Sequence, residues 1–228
     1  AYTIEGTSFI KLGGTDFSSS LLIGHSTTGT LSAASNNTGV GIAALDAITQ
    51  GDGNTAIGQG SLTTLTTSAN NVAVGRNAGR NVTTGIGEHV YIGDTAGYYN
   101  ATGVGNTAVG YQAMTGASGQ NNNYNTTVGD RSLRVITTGD YNISLGHLSG
   151  DNITSGSGNV VIGKADVSSA TADDQLSISD GEDGSVVWMT GDNAAKLTFP
   201  GALQVSGAVT VGVDDTGLDV KFFGASAG

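Results

Sequence analysis

One short pattern returns nine times in this chain at a spacing of about 17 residues, and no other feature restricts the fold as tightly. Its register mark is a glycine closing an aliphatic pair: Gly24, Gly41, Gly58, Gly75, Gly93, Gly110, Gly129, Gly146 and Gly163. The steps between marks are 17, 17, 17, 18, 17, 19, 17 and 17 residues. The residue before each mark is Ile23, Val40, Ile57, Val74, Ile92, Val109, Val128, Leu145 or Ile162, and this β-branched preference suits a pleated, half-buried strand. Four residues before the mark stands Asn37, Asn54, Asn71, Asn106, Asn125, Asn142 or Asn159, replaced by Ser20 and His89 in the two remaining copies. Three residues after it the side chain is mostly small, as at Ala44, Ser61, Ala78, Ala96, Ala113, Ser132 and Ser149.

A pair of packed helices needs roughly 33 residues, and this unit is half that length and rich in Gly, Thr, Ser and Asn. The period predicts instead an all-β chain: a parallel β-solenoid, or β-roll, whose turn is two short strands and two tight bends, stacked at about 4.8 Å. Nine such turns make a rod roughly 40 Å long. Each register glycine either adopts a backbone conformation closed to other residues or lets a neighbouring backbone approach closely. The Asn column is expected at a bend, left-handed and hydrogen-bonded along the stack. In Asn54-Thr55-Ala56-Ile57-Gly58, Thr55 and Ile57 share a bulky face, while Ala56 and Gly58 share a flat one. A single roll has too thin a core to cover its apolar area, so several rolls are expected to pack side by side through the flat face, as a homo-oligomer around a long axis.

The runs Asn54-Thr55-Ala56-Ile57-Gly58, Asn71-Val72-Ala73-Val74-Gly75 and Asn106-Thr107-Ala108-Val109-Gly110-Tyr111-Gln112-Ala113-Met114 resemble the left-handed β-roll head repeats of trimeric autotransporter adhesins. They are still more similar to related repeats in bacteriophage tail-fibre proteins. The resemblance covers about residues 20–167 and implies a homotrimer of left-handed rolls with a surface-exposed, adhesive or structural role. The chain then divides into a β cap or connector at 1–19, the roll at 20–167, and a β-rich shaft or neck at 168–228, expected to continue in a longer parent chain. The stretch from Leu197 to Val211 alternates polar and apolar residues around Pro200 and is similar to phage-fibre shaft segments. The run from Val213 to Gly224 looks like a module of phage structural proteins, and no heptad stalk follows the repeats.

Net charge is −11, yet only 12% of residues are charged, so surface polarity must come from Thr, Ser, Asn and backbone. An acidic chain is a poor partner for duplex nucleic acid. Residues 1–167 hold six basic and ten acidic side chains, and 168–228 hold two and nine, so the acid gathers in the tail as a solvated surface. Cysteine is absent, which leaves stacking and subunit burial to supply stability. No apolar run reaches about 18 residues and no signal peptide is visible, so neither membrane insertion nor secretion is expected.

The residues give catalysis little support. His25, His89 and His147 are spread over many turns and read as surface or bend histidines. The pairs Asp173-Asp174, Glu182-Asp183 and Asp214-Asp215 adjoin turn residues, and adjacent strand residues point to opposite faces. The run Asp180-Gly181-Glu182-Asp183-Gly184 lacks the spaced ligands of a calcium loop, and the Gly-x-Gly patterns are by-products of the repeat, so neither metal nor cofactor is expected.

Binding has more to work with. The repeat is interrupted around Gly87-Glu88-His89-Val90-Tyr91 and at Gln120-Asn121-Asn122-Asn123-Tyr124, and insertions in solenoids go to surface bends. Tyr98, Tyr99, Tyr111, Tyr124 and Tyr141 fall in the same middle turns, placed either to pack at the roll edge or to stack on a host-surface glycan or protein receptor. A flat threonine array for ice is interrupted, because Thr38, Thr55, Thr107 and Thr126 alternate with Val72, Val90, Ile143 and Val160. The sequence therefore predicts a non-enzymatic fibre segment of a phage virion, in contact with other virion proteins and with the host surface. The head of a bacterial adhesin is the alternative, ahead of a purely architectural filament, a glycan hydrolase or an ice-binding solenoid.

Overall fold

The computed structural model describes residues 2–4, 7–14, 17–24, 32–118 and 121–201. His25, Gln120 and the expectations placed on residues 202–228 lie outside the described residues. The strands are β1 (Tyr2–Ile4), β2 (Thr7–Gly14), β3 (Phe17–Ile23), β4 (Thr38–Val40), β5 (Thr55–Ile57), β6 (Val72–Val74) and β7 (Val90–Ile92). They continue as β8 (Thr107–Val109), β9 (Thr126–Val128), β10 (Ile143–Leu145), β11 (Val160–Ile162), β12 (Leu176–Ser179), β13 (Val187–Gly191) and β14 (Leu197–Thr198). All fourteen lie in chain order in one sheet. From β3 to β12 every pairing is parallel and in the register the repeat dictates, as in Thr55↔Val72 and Val128↔Leu145. This is a β-solenoid of about nine turns of about 17 residues, with no helix among the described residues. Antiparallel hairpins close it, β1–β2–β3 at one end and β12–β13–β14 at the other. Parallel pairing extends to β12 although the glycine period stops at Gly163.

Each roll turn carries one three-residue strand, where two were expected. The second limb contains left-handed residues two and four positions after the register glycine, such as Ala43 and Leu45, Gln112 and Met114, or Arg131 and Leu133, all with φ between 51° and 57°. Such residues cannot continue a strand. The limb is instead held to the next turn by separate backbone bonds, for example Leu45 N–H to Ser61 O at 3.1 Å and Thr49 N–H to Thr66 O at 3.0 Å. Threonine hydroxyls reinforce it, with Thr49 Oγ1 donating to Thr66 O, Thr66 Oγ1 to Thr83 O, and Thr137 Oγ1 to Thr154 O.

The register glycines meet both expected demands. Gly110 has a φ of 139°, and a Cβ built on it lies less than 3.0 Å from the carbonyl of Gly129. The same obstruction runs from Gly41 to Gly146, because the glycines stack face to face along the rod.

The two faces of the strand are reversed relative to the packing expectation. The small residues at its centre, Ala56, Ala73, Ala108 and Ser144, are fully buried inside the roll. They pack with Leu45, Leu62, Ile48, Leu65, Leu133, Ile136 and Ile153 of the facing limb. The bulky residues point outward. Ile57, Ile92, Val128, Ile143, Leu145 and Ile162 remain 37–42% exposed and form an aliphatic stripe along the rod. The reason is space, since a 17-residue loop leaves room for large residues from one limb only. Where the strand contributes a large residue, the other limb shrinks. Tyr91 is fully buried, and a Cβ on Gly79 or Gly97 would collide with its ring.

Candidate binding surfaces on the bends

The asparagine column is a buried ladder. Asn37, Asn54, Asn71, Asn106, Asn125, Asn142 and Asn159 have no exposed surface. Asn142 shows the unit. Its backbone N–H and its Nδ2 both donate to Asn125 Oδ1, at 2.8 and 3.0 Å, and Nδ2 also donates to Gly156 O at 2.9 Å. Its own Oδ1 accepts the same pair from Asn159 at 3.0 Å. Ser20 Oγ takes the ladder position at one end and Gln175 at the other. The ladder residues are not themselves left-handed, as had been expected. That conformation falls one residue earlier, at Asn36, Gly53, Asn70, Glu88, Gly105, Tyr124, Tyr141, Gly158 and Asp174, which frees the ladder side chain to turn inward.

His89 is a member of this ladder and not a surface histidine; it is 1% exposed. Its N–H donates to Asn71 Oδ1 at 3.1 Å and its Nδ1 accepts from Asn106 N–H at 3.2 Å. Its ring stacks on Tyr91 with centroids 4.9 Å apart. Burial lowers its pKa to about 4, against a smaller opposing effect of the Gly103 backbone. Burial likewise raises that of the Tyr91 phenol. Among the described residues, His89 Nε2 and the Tyr91 hydroxyl have no hydrogen-bond partner.

The five tyrosines singled out from the sequence divide between the two ends of the strand column. Tyr124 and Tyr141 precede ladder residues, are exposed, and stack with centroids 5.3 Å apart and planes at 15°. The Tyr124 ring lies over Gly105, where a Cβ would meet it. Tyr98, Tyr99 and Tyr111 follow the strand instead. Tyr98 and Tyr99 meet edge to face at 4.5 Å, and Arg131 lies 5.5 Å over the Tyr111 ring. Asn77, Thr95, Tyr98, Tyr99, Gln112 and Thr115 line an open cavity of about 290 Å³. The sequence reading had not picked out Asn77, Thr95, Gln112 and Thr115. Their signal was the offset from the register glycine, two residues for the first three and five for Thr115.

The acidic side chains of the tail are engaged with backbone. Asp180 accepts from the N–H groups of Glu182, Asp183 and Gly184 through Oδ1 and of Val186 through Oδ2. Those bonds, led by that of Gly184, lower its pKa to about 2. The run Asp180–Gly184 is thus a turn built around one carboxylate. A second cavity, of about 370 Å³, lies where the last roll turn meets β13 and includes Asp151, Asp166, Asp183 and Lys164. Burial raises the Asp166 pKa there, while the backbone of Asn152 opposes it. No cluster of three or more potential metal ligands occurs among the described residues. No described helix is long and apolar enough to cross a membrane.

No protein-family model matches the chain, and no curated protein and no solved structure matches it either.

Proposed function

We propose that this chain is a segment of a trimeric fibre of a phage virion that attaches to the host surface and performs no catalysis. The observation that carries the reading is the aliphatic stripe from Val40 to Ile162, as long as the roll, one aliphatic side chain wide in every turn and two wide where Val72, Val90, Ile143 and Val160 stand in place of Thr38, Thr55, Thr107 and Thr126, on a rod whose interior is already filled. A continuous apolar stripe with this regularity calls for a matching surface, and a second and third copy of the same rod offer one at every turn. The resemblance of the repeats to phage tail fibres supports the same assembly, with the rolls left-handed and their outer faces together. Three rods around one axis present each bend three times, so weak contacts with a glycan or receptor add up to firm attachment.

The experiment is retention of the labelled chain on a panel of bacterial cells and their purified surface polysaccharides, followed by sizing of the polysaccharide. Retention on at least one surface with the polysaccharide length unchanged is the expected result. Shortened polysaccharide identifies a hydrolase instead, and no retention on any surface leaves an architectural filament.

A further inference from the structure

The cavity beside Tyr98 and Tyr99 has the chemistry of a sugar site, and its rim has the wrong charge for the rest of the molecule. The chain carries a net charge of −11, yet all four of its arginines, Arg76, Arg80, Arg131 and Arg134, fall within five residues after two register glycines, Gly75 and Gly129. Two are neutralised, Arg76 by Asp94 at 2.8 Å and Arg134 by Asp151 at 3.1 Å. Arg80 pairs with no carboxylate among the described residues, and Arg131 has only Asp130 at 3.8 Å.

These two arginines also fix the cavity's donors. Arg80 Nη1 donates to Asn77 Oδ1 at 3.1 Å, and Arg131 Nε donates to Gln112 Oε1 at 3.4 Å. With both amide oxygens occupied, Asn77 Nδ2 and Gln112 Nε2 are the ends of the two lining amides that have no partner among the described residues. The Tyr98 and Tyr99 hydroxyls also have no partner among the described residues. Thr95 sits between the amides at a φ of 56°, a left-handed conformation that β-branched residues seldom adopt.

We infer that this cavity binds a carboxylate-bearing pyranose, a uronic acid unit of a surface polysaccharide. The apolar face of the ring lies on a tyrosine, the amide and phenol groups bond its hydroxyls, and the carboxylate meets Arg80 or Arg131. This deepens the attachment reading above and rests on it for its biological meaning.

The test is a titration of the full chain with glucuronic acid and with glucose, followed by saturation-transfer NMR, and repeated on three variants. Glucuronic acid is expected to bind in the millimolar range, about tenfold or more tighter than glucose. Arg80→Gln combined with Arg131→Gln should abolish that preference, and Gln112→Asn, which keeps a residue tolerant of the left-handed position, should weaken both sugars. Lys196→Gln, which removes an exposed cation that does not line the cavity, should leave both unchanged. Equal binding of the two sugars, binding indifferent to the arginine and Gln112 changes, or no saturation by either sugar overturns the proposal. Cell retention of the same preparations separates the two readings. Retention that survives the arginine changes keeps the fibre and removes this pocket, whereas sugar binding by a chain that no cell retains keeps the pocket and removes the attachment role.

Discussion

At the scale of single residues, the roll is governed by what cannot be replaced at its stacking points. Gly110 combines a φ of 139° with a neighbouring carbonyl where a Cβ would go. Gly110→Ala should therefore cost about 3 kcal/mol or more. Gly181, which has nothing within 4 Å of its built Cβ, should accept Ala within about 0.5 kcal/mol, and urea unfolding midpoints compare the two. His89 supplies a pH dependence. Its folded pKa of about 4 lies below the ordinary 6.5, so the neutral form stabilises the fold fully above about pH 6.5. That contribution, about 3 kcal/mol, is lost progressively as pH falls towards 4, because burial penalises the protonated imidazole, whose Nδ1 also no longer accepts from Asn106. His89→Asn restores an ordinary ladder amide. Its thermal midpoint should fall less than that of the wild type between pH 7 and pH 4, and parallel curves for the two would refute this role.

At the scale of the turn, the interior obeys a size rule between limbs. Tyr91→Ala should cost about 4 kcal/mol by opening a cavity, and Gly97→Leu alone should also destabilise, since a side chain there meets the Tyr91 ring. Together they should be less harmful than their sum, because Leu45, Leu62 and Leu133 already hold the equivalent left-handed position. A double-mutant cycle in urea measures that coupling, and strict additivity would contradict the rule. The same paired limbs explain what was legible beforehand. Glycine spacing and the asparagine column predicted turn length, parallel stacking and the hydrogen-bonded ladder, since both depend on offsets along the chain. The face pointing inward was not legible from Thr55-Ala56-Ile57, because alternation separates two faces without saying which one the opposite limb covers. The left-handed residues that reduce each turn to one strand carried no signal either, being as varied as Ala43, Gln112 and Arg131. The tyrosines were visible as a group, but dividing them required knowing where each bend falls.

At the scale of the whole molecule, the outward aliphatic stripe is the feature a lone rod does not account for. Ile143→Lys with Ile92→Lys puts charge on that stripe without touching the interior, since both side chains already reach solvent. The variant should keep its β circular dichroism and lose its assembly, and an unchanged assembly would place the contact elsewhere. The most direct measurement is the solution mass of the 228-residue chain by multi-angle light scattering. Three times the 22.6 kDa chain mass is the predicted result. A mass of 22.6 kDa that holds across concentrations would contradict the trimer and leave a rod that carries its apolar stripe in water.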